Sequence, residues 1–165
     1  MRINTFSLCL LLACLSFFTA CKEDEEIENL SVPRLFIESR GVDYGGIGGQ
    51  TLTLPSGTAI SVQSPPLVNE FDVLNVEMVK VDRGIALLVQ VGGQSARDLY
   101  RASVSNMGGR LVLTINGNAI GARRIDGAIQ DGNVYTFVEV DDEEVGQLVL
   151  DIKETLIHLQ KIKNK

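Results

Sequence analysis

Apolar side chains recur every second residue through "DVLNVEMVKVD" (72–82) and "GIALLVQV" (84–91), which predicts two strands joined at Asp82-Arg83-Gly84. Ile85, Leu87, Val89 and Val91 share one face of the second strand. The period then lengthens. In "GGQSARDLYRASVSNMGG" (92–109), Ala96, Leu99, Tyr100, Val104 and Met107 fall at helical spacing and predict a core-facing stripe. Ser95 and Asp98 have the spacing of a capping box, and Gly108-Gly109 ends the helix. A hairpin follows, "LVLTI" (111–115) and "NAIGA" (118–122), with Asn116-Gly117 between them favouring a type I′ turn. A further strand is read in "NVYTFVEV" (133–140). The chain closes on a long helix in which Val145, Leu148, Val149, Ile152, Leu156 and Leu159 make one stripe. Acids at its start and lysines at its end complement the helix dipole.

The core order is therefore β-β-α-β-β-β-α. Hairpin-linked strands with two amphipathic helices predict an α+β domain with an antiparallel or mixed sheet. Upstream, "RLFIES" (34–39) reads as a strand and "TLTLPSGTAISV" (51–62) as a hairpin, a small β region over 33–65. The glycine-rich "GVDYGGIGGQ" (41–50) invites comparison with phosphate-binding loops. Those loops follow a strand and open a helix, whereas a strand follows here, so a flexible connection is the better reading. "SPPL" (64–67) marks an extended junction, since two prolines oppose both helix and central strand.

The N-terminus changes the setting. Met1-Arg2 precedes an apolar run from Phe6 to Phe18, and the order of charge, apolar core and small residues is that of a secretory signal. Phe18-Thr19-Ala20-Cys21 resembles the bacterial lipobox, whose cysteine is acylated and becomes the new N-terminus. Phenylalanine stands where leucine is usual. Residues 1–20 are thus expected to be removed, along with Cys9 and Cys14, leaving Cys21 lipidated on its sulfur. The mature chain would then have no disulfide, thiolate metal site or cysteine nucleophile. Several acyl chains would anchor it stably in a membrane, where one would not. Acidic residues 21–32 read as a flexible tether, with the main domain over 66–160 and a basic tail over 161–165. Lys22 after the cysteine argues for the outer membrane facing the periplasm. A lysine followed by acids also resembles a surface-export signal.

Removing the leader takes away Arg2 alone among charged residues, so the balance becomes 14 − 21 = −7. An acidic chain without tryptophan is a poor match for nucleic acid.

The strand and turn pattern from about Pro66 to Leu156 resembles the first periplasmic domain of SecD, the membrane protein that assists protein export. The stretches that carry the likeness are "GGQSARDLYRASVSN", Gly109-Arg110-Leu111, Asn116-Gly117, the run Ala119 to Ile125, and the acidic helix start Asp141 to Glu144. Arg123 stands where the family has proline, and the glycine expected after the last strand is absent. The resemblance implies a head that contacts unfolded exported chains or docks a partner. It also implies that the proton-driven step belongs to a transmembrane bundle that this sequence lacks.

Candidate chemistry is sparse. His158 is the only histidine and stands in the late turns of the last helix, so without another histidine or a thiol no Ser-His, Cys-His or zinc constellation is expected around it. "DDEE" (141–144) lacks the alternating ligands and glycine of a calcium loop and suits a helix N-terminus. Arg123 and Arg124 are the candidate partner-binding pair, since arginine grips carboxylates bidentately; edge-strand charge is the plainer role. No cofactor is called for. The expected function is a non-catalytic envelope lipoprotein that binds an exported polypeptide or a fixed protein partner. The alternative is a hydrolase or small-ligand binder using carboxylates and serines without histidine or thiol.

Overall fold

The computed structural model describes residues 30–39, 49–82 and 84–163. The leader, Cys21, residues 22–29, most of the glycine-rich connection and the last two residues lie outside the described residues. Within them the chain is α+β, with eight strands in three antiparallel sheets and two helices. The elements are β1 (Pro33–Ile37), β2 (Gly49–Thr53), β3 (Ala59–Gln63), β4 (Val73–Val81), β5 (Gly84–Val91), α1 (Gly93–Ser105), β6 (Arg110–Ile115), β7 (Asn118–Arg124), β8 (Asn133–Phe137) and α2 (Asp142–Lys163). From β4 onward this is the order that the periodicities predict.

The sheets are β1-β6-β7, β2-β3 and β4-β5-β8. Single bridges join them, Gly121 with Val138 and Glu38 with Val62. β1, placed by sequence in the small N-terminal β region, pairs along its whole length with β6, Leu35 opposite Leu113. This pairing explains "LVLTI". Leu111, Leu113 and Ile115 enter the main core together with Leu35 and Ile37. The alternate residue Val112 joins Phe36 and Ala119 in a second cluster, which Leu54, Ile60 and Val62 close from the β2–β3 hairpin. A strand covered on both faces has no polar side to show, so its alternation disappears.

The main core also takes Val76, Leu87, Val89 and Val134 from the second three-stranded sheet, Leu99 from α1, and Val145, Val149, Ile152 and Leu156 from α2. Asn116 and Gly117 have φ of 52° and 83°, the double left-handed turn that type I′ requires. At Gly121 the backbone of the segment after β8 crosses so closely that a Cβ would collide with the Phe137 carbonyl oxygen. Glycine is needed there for contact.

One local expectation fails. Helix α1 begins at Gly93, after an N-cap at Gly92 that offers no side-chain cap. Ser95 therefore lies inside the first turn and forms no capping box. Its Oγ instead donates to Asp72 Oδ2 at 2.7 Å. Asp98 accepts from Gln94 Nε2 at 3.0 Å and Arg101 Nη1 at 3.3 Å.

Candidate functional site

Helix α1 turns 100° per residue, so Leu99 and Ser103 lie close together on its wheel while Tyr100, Val104, Arg97 and Arg101 occupy a neighbouring arc. Leu99 and Ser103 are the residues that α1 buries. Tyr100 and Val104 are 42 % and 47 % exposed, and Met107, just past the helix, is 50 % exposed. The expected core stripe is therefore mostly an outward face. Ser103 supplies the reason. Its Oγ donates to the Tyr100 carbonyl at 2.7 Å and accepts the Ile129 N–H at 2.9 Å, in a buried contact. The loop after β7 is thereby drawn against α1, with Ile125 and Ile129 inside the core. A small hydroxyl with Ala96 and Ala102 beside it permits that approach, and a tyrosine or methionine on that side would not.

The outward arc has a floor and a rim. Ala96, Arg97, Tyr100 and Arg101 line a shallow groove of about 510 Å³, closed on its other side by Gln130. Arg101 pairs with Asp98 at 3.3 Å in an exposed i,i+3 contact, worth no more than about 0.5 kcal/mol. Arg97 makes no ion pair among the described residues, so its guanidinium is available to a ligand. Tyrosine and arginine around a concavity are residue types enriched at protein contact surfaces.

The arginines singled out by sequence are placed elsewhere. Arg123 reaches from β7 toward β8, where its Nη1 donates to the Tyr135 carbonyl at 3.2 Å. Arg124 is exposed and pairs with Asp126 at 3.3 Å. Neither lines the α1 groove. Asp131, next to Gln130, is held below the usual carboxylate range, first by the Asn133 backbone N–H at 3.0 Å and then by its side chain. That contact fixes the loop carrying the groove's far wall. His158 is half-buried on α2, and Asp141 to Glu144 are exposed around the start of that helix. Among the described residues, no three His, Cys, Asp or Glu side chains come together to hold a metal, and no helix is long and apolar enough to cross a membrane.

Sequence reasoning missed the α1 face because periodicity marks an apolar side without saying whether anything covers it. The usable signal was small size: Ala96, Ala102 and Ser103 are the residues a close-packed loop can approach.

The described residues thus form a small α+β domain with a shallow, polar-rimmed groove on α1. No family model matches the chain, and no curated protein matches it. Solved structures do. One is SecDF in a super-membrane-facing form, with TM-score 0.54 and 19 % identity over 74 % of this chain and 18 % of that one. Another is SecDF described as a membrane component that enhances protein export, with TM-score 0.54 and 16 % identity over 92 % of this chain and 69 % of that one. The chain therefore has a SecD-like fold, and it spans less than a fifth of the first of these structures.

Proposed function

We propose that this chain is a non-catalytic envelope lipoprotein, anchored through Cys21, whose SecD-like domain binds polypeptide on the outward face of α1. The observation that carries this reading is the outward face of α1, where Tyr100 and Val104 are about half exposed and Tyr100 lines a groove with an Arg97 that makes no ion pair among the described residues. The fold likeness supports it, since one of the similar structures is of a component that enhances protein export. An exported chain in extended form, or a fixed envelope partner, supplies apolar side chains for the stripe and carboxylates for the arginines. The lipobox supports the lipid anchor, and Lys22 after the cysteine favours the outer membrane facing the periplasm, with the cell surface as the alternative.

The test uses the full chain in detergent micelles, titrated with a reduced, carboxymethylated polypeptide that cannot refold and with its folded parent. Selective binding of the unfolded form is expected, and Tyr100→Ser should weaken it. Equal binding of both forms, or binding indifferent to Tyr100, sinks the proposal. For the anchor, Cys21→Ser should abolish palmitate labelling and block removal of the leader, and palmitate labelling that persists would overturn the anchor.

A further inference from the structure

Charge is divided along α2. Its acids are Asp142, Glu143, Glu144, Asp151 and Glu154, and its lysines are Lys153, Lys161 and Lys163. Beyond Glu154 the helix carries positive charge alone, and the chain closes on "KIKNK". Large apolar side chains stand among these lysines. Ile157 and Ile162 are more than half exposed. Lys163 Nζ donates to the Phe71 carbonyl at 3.2 Å, which places Phe71, itself 42 % exposed, at the same end of the molecule.

The chain enters the domain close to this end, and its entry is fixed. Asn116 clasps the segment before β1: its Oδ1 accepts the Val32 N–H at 2.9 Å, and its Nδ2 donates to the Leu30 carbonyl at 2.7 Å. The Asn116 N–H donates to the Val32 carbonyl at 3.0 Å. Between them, the Ser31 N–H donates to Thr155 Oγ1 on α2 at 2.8 Å. Ile162 lies seven residues past Thr155, which is about 10 Å along the axis and about 20° away on the wheel. Cys21 stands nine residues before Leu30, and a chain of that length reaches at most about 30 Å. α2 is itself about 33 Å long. An acylated Cys21 therefore keeps the clasp, and the end of α2 beside it, within about one helix length of the headgroups.

We infer that the C-terminal end of α2, with Phe71, rests on an anionic lipid surface. Lysines attract anionic headgroups, and their long stems let neighbouring apolar side chains enter the interface while the ammonium groups stay in water. Ile157, Ile162 and Phe71 supply the apolar part. The five acids between Cys21 and Leu30 are repelled by the same surface, so the attraction comes from the basic end of the domain and not from the tether. Two or three lysines would hold a free protein weakly. A short tether raises the effective concentration to about the millimolar range, where a weak contact is occupied. This inference rests on the lipid anchor proposed above and is independent of the polypeptide reading.

The test uses the full lipidated chain in vesicles that contain a nitroxide-labelled lipid, with and without phosphatidylglycerol. Acylation of Cys21 leaves no free thiol once the leader is gone, so one fluorophore can be placed at Gln160→Cys, near the lysines, or at Glu143→Cys, at the acidic end. The label at position 160 should lose most of its fluorescence in phosphatidylglycerol vesicles, and the label at position 143 should keep it. Lys161→Glu combined with Lys163→Glu should restore the signal at position 160 while the protein still floats with the vesicles. Quenching at both positions or at neither overturns the inference and leaves the anchor standing, as does quenching at position 160 that ignores phosphatidylglycerol and the lysine reversal. Protein that fails to float with the vesicles overturns the anchor and this inference together.

Discussion

Helix α2 buries Val145, Val149, Ile152 and Leu156 in the main core, whereas α1 buries only Leu99 and Ser103 and turns Tyr100 and Val104 to water. Both have apolar residues at helical spacing. They differ in what approaches them. α2 lies along β4 and meets the sheet through long side chains. α1 meets a loop through a serine and two alanines, and polar contacts fix its position: Ser95 to Asp72 and Ser103 to the Ile129 N–H. One helix is held by apolar area, and the other by Leu99 and its alanines together with hydrogen bonds. The second arrangement leaves Tyr100 and Val104 about half exposed.

If that division is right, truncation in the two helices should act through different mechanisms. Ile152→Ala removes a fully buried side chain and leaves a cavity, with an expected loss of about 2–5 kcal/mol in urea unfolding. A loss below about 1 kcal/mol would mean that α2 is not the apolar wall of the core. Ser103→Ala removes almost no volume but leaves the buried Ile129 N–H without its acceptor, which costs about 1–3 kcal/mol. Exchange at the Ile129 amide should accelerate in that variant, and an unchanged rate would break the comparison from the α1 side. Acid acts on the same side. Glu70 accepts from Arg34 at 2.6 and 2.9 Å, tying to β1 the junction that carries Asp72, the anchor of Ser95. Those hydrogen bonds hold the Glu70 carboxyl below the ordinary 4.5. Its folded value is depressed, so its stabilisation is complete above about 4.5 and is lost as pH falls through the folded value. Glu70→Gln should flatten the acid limb of the stability curve. Because Arg34 is well exposed, the neutral-pH loss should stay under about 1 kcal/mol.

What was legible in the sequence follows the range of the interaction. The Asn116-Gly117 turn and the strands beside it are set by neighbours in the chain, and they stand where the pattern puts them. The α2 stripe was readable because its buried residues are large and evenly spaced. The pairing of β1 with β6 was not, since Pro33 and Ile115 are far apart in sequence and no local period records a partner. Only the consecutive apolar residues Leu111 to Leu113 of β6 hinted at cover on both faces. The α1 face escaped for a different reason: Tyr100, Val104 and Met107 have the spacing of a core stripe, and a core stripe and a docking stripe look alike before the loop at Ile129 is placed. Arg123 was legible as a strand-end charge, but its Tyr135 carbonyl partner was not.

The smallest stability effect should accompany the clearest functional one. Tyr100→Ser and Val104→Ser alter side chains that are about half exposed, so each should shift unfolding by no more than about 1 kcal/mol. Both should still weaken binding of the unfolded polypeptide, because truncating an aromatic or apolar anchor at the centre of a contact typically costs more than 1 kcal/mol, about a fivefold or greater rise in Kd. Arg97→Ala should weaken binding and reduce its dependence on salt, since the guanidinium acts through charge. Together these variants separate the roles of the two sides of α1. Loss of binding at unchanged stability assigns the outward arc to a partner, whereas loss of both would mean that Tyr100 and Val104 belong to the fold after all.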